Sequence, residues 1–192
     1  MTDSPRAGKR YQLLYADPPW AYRSRAGGSW KSHSSAHYPT LSIEQLALLD
    51  VPSVAADNAV LALWIPVPLL PQAFPVAQAW GFDYKTCMVW NKTGRWGLGW
   101  WFRNSEEFLT IHVRGKVRPP RLQRRNEITA PVGRHSAKPE EFRLVLDQLA
   151  ANCFGLFPAK IELFARGRTA GWDAHGLEAE GGREIPFRER KE

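Results

Sequence analysis

Residues 17–20, Asp-Pro-Pro-Trp, end an apolar run with a carboxylate and then deny the next two positions a backbone N–H. Such a stretch is stiff, rich in acceptors and poor in donors. The Asp17 carboxylate and the carbonyls of Pro18 and Pro19 can receive hydrogen bonds, and the rings of Trp20 and Tyr22 offer flat faces. A ligand that matches this pattern carries an NH2 group on a flat ring, as a nucleobase with an exocyclic amine does. The amine of adenine is a poor nucleophile because its lone pair is delocalised into the ring. Two acceptors on its hydrogens favour a more pyramidal nitrogen and turn the lone pair toward an electrophile, leaving the protein to align the two. A base in a duplex reaches such a pocket only when flipped out. The plainer alternative is a Pro-Pro turn with a packing tryptophan, and four residues by themselves favour it.

The elements that must position these residues alternate between strand and helix. Residues 11–16, 59–65, 84–90, 107–113 and 160–165 read as strands. Residues 42–50 read as a helix capped by Ser42, with Gln45 at capping-box spacing, and residues 69–80 as a second, stopped by Gly81. Residues 138–153 give the clearest helix: Pro139 suits its first turn, Glu140 and Glu141 complement its dipole, and Phe142, Leu146, Leu149 and Phe154 recur at roughly helical spacing. This order predicts an α/β fold, a parallel or mixed sheet covered on both faces. Ligands of such sheets bind beyond the carboxyl ends of the strands, and Asp17 and Arg166 sit just past two of them. Residues 21–39 and 114–134 break the alternation and read as binding loops or lids.

Composition bounds the partners. At 192 residues and 44% apolar content the chain reads as one domain over 1–192, with a polar leader over 1–10 and a charged, loosely ordered tail over 179–192. No apolar run is long enough to span a bilayer, nothing resembles a signal peptide, and Cys87 and Cys153 make no disulfide framework, so a cytoplasmic protein is expected. The histidines have no metal-ligand spacing, and no metal is expected. The net charge of +7 fits a polyanionic partner or merely a basic protein. Residues 108–126 hold no acid but carry Arg114, Lys116, Arg118, Arg121, Arg124 and Arg125, close to Trp90, Trp96, Trp100 and Trp101. Aromatics beside arginines suit stacking on bases and contact with phosphates, and equally a tryptophan-rich core beside a solvated loop.

Seven motifs in order then resemble the MT-A70 family of adenine-N6 methyltransferases: DPPW, HYPTLS from His37, LALW from Leu61, WGFDYKTCMVWNK from Trp80, HSAKPEEF from His135, ELFAR from Glu162 and GWDAHG from Gly171. The resemblance implies a Rossmann-like methyltransferase sheet with the catalytic motif ahead of the cofactor strand, and S-adenosyl-L-methionine as cofactor. It implies that Asp17, Pro18, Pro19 and Trp20 form the catalytic motif, with Asp17 and the Pro18 carbonyl on the target amine and Asp17 also near the cofactor's amino group. Tyr22, Tyr38, Trp101 and Glu107 would flank the target base, Glu107 being equally readable as a strand-start carboxylate paired with an arginine. Lys138 would meet the cofactor carboxylate, Phe164 its adenine, and Arg166 and Glu178 its ribose. His135 would lie near the cofactor or cap the following helix.

Departures bear on these roles. Leu177 stands where the family often has asparagine, and no upstream strand supplies an acid to the cofactor adenine, so residues 126–129 are the expected substitute. With no separate recognition domain expected, target selection falls to the long loops, a partner, or a second copy in a homodimer or heterodimer. The reading is N6 methylation of adenine in DNA. The alternatives are the same chemistry on RNA or on the cytosine N4 amine, and a catalytically silent nucleic-acid-binding subunit, which would be expected to have lost the acid or the prolines of DPPW. A nucleotide-dependent enzyme of another kind would lack any phosphate loop to support it.

Overall fold

Successive residues of the run Leu13, Leu14, Tyr15, Ala16 face opposite cores, and all four are buried, which fixes this strand inside a sheet covered on both sides. The computed structural model describes residues 8–21, 40–94, 101–133 and 137–176. In chain order the elements are β1 (Tyr11–Ala16), α1 (Ile43–Ala47), β2 (Ala55–Pro66), α2 (Leu70–Ala79), β3 (Asp83–Thr93), β4 (Glu106–Arg114), β5 (Glu127–Pro131), α3 (Glu140–Phe154), β6 (Lys160–Leu163) and β7 (Asp173–His175). The strands form one 7-stranded sheet in the order β5-β3-β4-β2-β1-β6-β7. The expected α/β architecture with helices on both faces is what the chain adopts.

Leu14, Ala16, Leu61, Leu63 and Ile65 pack with Leu46 of α1 and Ala73, Val76 and Ala77 of α2 on one face. Leu13, Tyr15, Trp64, Trp90, Leu109 and Ile111 pack with Phe142, Val145, Leu146 and Leu149 of α3 on the other. The Ser42 cap is formed: its Oγ accepts from the Gln45 N–H while the Gln45 side chain accepts from the Ser42 N–H. That cap supports a helix of only 5 residues, shorter than the segment expected.

Two strands go beyond the five expected. β5 lies inside the basic segment, with Ile128 and Ala130 buried between exposed Glu127, Thr129 and Pro131. β7 has 3 residues and adds to β6 in parallel. Pairing also sets direction. β4 is antiparallel to both β2 and β3, whereas every other pairing is parallel. The start of β4 therefore lies at the same edge as the carboxyl ends of β1, β2, β3 and β6.

Among the described residues, no helix is long and apolar enough to cross a membrane.

Candidate active site

β1 delivers Asp17 to the carboxyl edge, and the antiparallel β4 delivers Glu107 there from its first turn of strand, opposite Pro66 on one side and Trp90 on the other. Lys138, two residues before α3, reaches over this edge and joins them. Its Nζ lies 3.2 Å from Asp17 Oδ1 and 2.8 Å from Glu107 Oε2. Lys92, at the end of β3, donates to the other Glu107 oxygen at 2.5 Å. Arg166 lies 3.6 Å from Asp17 Oδ2. A continuous line of alternating charge thus runs Lys92, Glu107, Lys138, Asp17, Arg166.

The floor under this line is aromatic. Lys138 Nζ sits 5.0 Å from the ring centre of Trp64, and Lys92 Nζ 5.0 Å from that of Trp90. Trp64 is locked by Phe142, edge-on at 4.8 Å, and by its own Nε1–H, which donates to the Tyr15 hydroxyl at 2.7 Å. Burial would raise the Glu107 carboxyl, but the Lys138 and Lys92 ammoniums outweigh it and hold the group below its ordinary range. Burial pushes Lys138 down, and Asp17 and Glu107 more than reverse that, so its ammonium is held charged. Glu107 is therefore an ionised, acceptor-only group at neutral pH, paired with lysines rather than with an arginine.

The Asp-Pro-Pro-Trp turn differs in detail from its reading in the sequence. The Trp20 ring is not a free wall: it is 7% exposed, packs in the α1/α2 core, and its Nε1–H donates to the Trp64 carbonyl at 2.9 Å. Its burial anchors the turn. The Pro19 carbonyl is taken by the Leu41 N–H at 2.8 Å, and the Pro18 carbonyl accepts from the Trp20 N–H at 2.9 Å, leaving the latter a second lone pair.

On the β6 side, Phe164 has φ 62, a left-handed backbone that a bulky residue rarely adopts. The close approach of β7 stabilises it: the Ala165 N–H donates to the His175 carbonyl at 3.0 Å. A Cβ on Gly176 would meet the Ala165 carbonyl oxygen at 2.3 Å, so only glycine fits. The strained turn carries Phe164 and Arg166 to the edge beside Asp17, which is where backbone strain is informative. Beneath it, Arg143 pairs with Glu162 at 2.9 Å between the rings of Tyr15 and Trp172.

The remaining expected positions stand at varying distances from Asp17. Trp101 is 92% exposed and lines no wall among the described residues. Residues 126–129 enter β5, four strands from β1 and about 19 Å across the sheet, which removes them from the neighbourhood of Asp17 and Arg166. The Asn126 amide is also already donating to the Cys87 carbonyl at 3.2 Å. The basic segment leaves β4 at Arg114, seven residues and about 24 Å along the strand from Glu107, at the opposite edge of the sheet. It is pinned to α3, where the Cys153 thiol donates to the Arg118 carbonyl, with Val117 and Leu122 packed beneath. Lys116, Arg118, Arg121, Arg124 and Arg125 are exposed there, and half-buried Arg114 donates to the Pro52 carbonyl at 3.4 Å. Tyr22, Tyr38, His135 and Glu178 lie outside the described residues. Lys92 was missed; its spacing from Trp90 on the α3 face of a strand was the one signal for it.

The MT-A70 family model matches residues 11–178. The Type II methyltransferase M.MunI of Mycoplasma sp is 37% identical over 88% of this chain and 78% of its own length. An N(6)-adenosine-methyltransferase MT-A70-like protein of Arabidopsis thaliana is 27% identical over 91% of the chain, which spans 24% of that protein. The N6-methyladenosine RNA methyltransferase MTA1 of Cryphonectria parasitica (strain ATCC 38755 / EP155) is 30% identical over 88% of the chain, which spans 51% of its length.

Proposed function

The chain belongs to the MT-A70 family and is an adenine-N6 methyltransferase, and from that premise we propose that it methylates adenine in DNA at the Asp17 edge, using S-adenosyl-L-methionine. One observation carries the reading: two carboxylates, Asp17 and Glu107, converge on a single ammonium at the strand ends. DNA is favoured over RNA because the chain spans 78% of the Type II methyltransferase and only 51% of the RNA methyltransferase.

The charges at this edge fit the cofactor. Its amino-acid end carries a carboxylate and an ammonium, and Lys138 beside Asp17 is the matching pair, 3.2 Å apart. Lys138 would hold the carboxylate, Asp17 the ammonium, and Phe164 and Arg166 the nucleoside end. When bound, the cofactor would supply a methyl group on a cationic sulfur able to leave with the C–S electron pair.

The protein's part is alignment and proton handling. Asp17 and the open lone pair of the Pro18 carbonyl accept the two amine hydrogens and turn the nitrogen lone pair out of conjugation. As the nitrogen takes the methyl group it becomes cationic, and Asp17 takes the proton it sheds. Glu107, fixed by two lysines, holds Lys138 charged and in place beside Asp17. The exposed basic segment, remote from this edge, contacts phosphates of the same nucleic acid, which fixes position and not sequence.

Transfer of labelled methyl from the cofactor to matched single- and double-stranded DNA and RNA tests the reading. N6-methyladenine in DNA at a higher rate than in RNA is expected; methylcytosine, or a preference for RNA, would overturn the substrate assignment.

A further inference from the structure

Among the described residues, Trp101 and Phe102 are the two largest exposed aromatic surfaces near the site, 92% and 80% accessible, with exposed Arg103 next to them. They stand at the carboxyl edge, in the connection from β3 to β4, just ahead of Glu106 and Glu107. The connection is tied to β3, since the Lys92 N–H donates to the Ser105 carbonyl at 2.9 Å. β4 lies two strand spacings, about 10 Å, from β1 and Asp17. Among the described residues, neither ring belongs to a core cluster. Two adjacent aromatics facing water beside a cation suit stacking on bases next to a phosphate backbone.

This inference rests on the proposed function. If the target adenine in a duplex is extruded to reach Asp17, its neighbours lose a stacking partner and a gap opens in the helix. Apolar side chains inserted between base steps fill such gaps and hold the step open. We propose that the Trp101–Phe102 pair is a wedge for double-stranded DNA: it enters the stack beside the target adenine, with Arg103 on the adjoining phosphate, and keeps the base out while Asp17 and the Pro18 carbonyl hold its amine. The partner is duplex DNA rather than a protein, because the patch borders the edge where the base must enter and carries a cation.

The test compares native with heat-denatured, rapidly cooled linearised plasmid DNA from a methylation-deficient host as substrates for wild type, Phe102→Ala and Phe102→Trp. These have the same sequence and differ only in pairing. Phe102→Ala is expected to lower the native-to-denatured ratio of kcat/KM about tenfold, and Phe102→Trp to restore it. A readout without turnover is the linking number of plasmid relaxed by topoisomerase in the presence of protein, which wild type should shift and Phe102→Ala should not. An unchanged ratio and unchanged linking number contradict the wedge alone. A change in sedimentation of Phe102→Ala with both DNA readouts unchanged also contradicts it and assigns the patch to a subunit contact. Absence of transfer by wild type to either DNA contradicts the proposed function and removes the wedge with it.

Discussion

Asp17 and Glu107 share one ammonium: Lys138 Nζ stands 3.2 Å from the first and 2.8 Å from the second. The two carboxylates come from strands that run in opposite directions, and only the reversal of β4 brings the start of one to the end of the other. Without the shared cation they would repel in a partly desolvated edge. With it, the two carboxylates can stand together on the side from which a base would enter.

Lys92 sets the ionisation of Glu107 from the far side. Replacing it with methionine removes one of two ammoniums that offset burial, so the Glu107 carboxyl rises toward its ordinary range. The acid limb of the pH–rate profile of Lys92→Met should move to higher pH, with cofactor affinity unchanged by calorimetry. A profile that does not move would free Glu107 from any role in turnover.

Gly176 is a packing requirement. Alanine there would press a methyl group on the Ala165 backbone, and the turn carrying Phe164 and Arg166 would have to shift. Gly176→Ala should lose about 1–3 kcal/mol of stability in urea unfolding and weaken cofactor binding at the same time. Loss of stability with full cofactor affinity would uncouple this turn from the site.

His112 gives the fold an acid-side weakness. It is buried with Thr110, its Nδ1 finds no hydrogen-bond partner, and burial depresses its pKa from 6.5 to about 4. Between those values the unfolded chain binds a proton that the folded chain refuses, so stability present above pH 6.5 is lost as pH falls toward 4. The loss approaches about 3 kcal/mol at 1.36 kcal/mol per pKa unit. Urea midpoints from pH 7 to pH 4.5 should fall for wild type and fall less for His112→Gln; equal slopes would contradict this assignment.

Much of the frame was legible because local signals agreed with packing. The Ser42–Gln45 cap, the periodicity of residues 138–153 and the position of Asp17 after a buried strand all reappear in the structure. β5 was hidden because two apolar residues, Ile128 and Ala130, alternate within a charge-rich stretch too short to register as a strand. The direction of β4 was not readable either, since a buried strand has the same hydrophobic pattern both ways. Trp20 stayed open for a related reason: an aromatic beside a polar motif serves equally as ligand wall or core anchor, and the structure buries it with its Nε1–H on the Trp64 carbonyl. The charge line depended on the same unseen reversal, so Lys92 stayed invisible while Asp17 and Lys138 did not.

The most direct test of the central claim is methyl transfer to double-stranded DNA by wild type and Asp17→Asn, with the modified nucleoside identified by mass spectrometry. Asparagine keeps the shape but turns an acceptor into a donor facing the amine. N6-methyladenine from wild type, and at least about a hundredfold less from Asp17→Asn with its unfolding midpoint retained, is the predicted result. Comparable turnover by the two proteins would contradict the assignment of Asp17 to the amine.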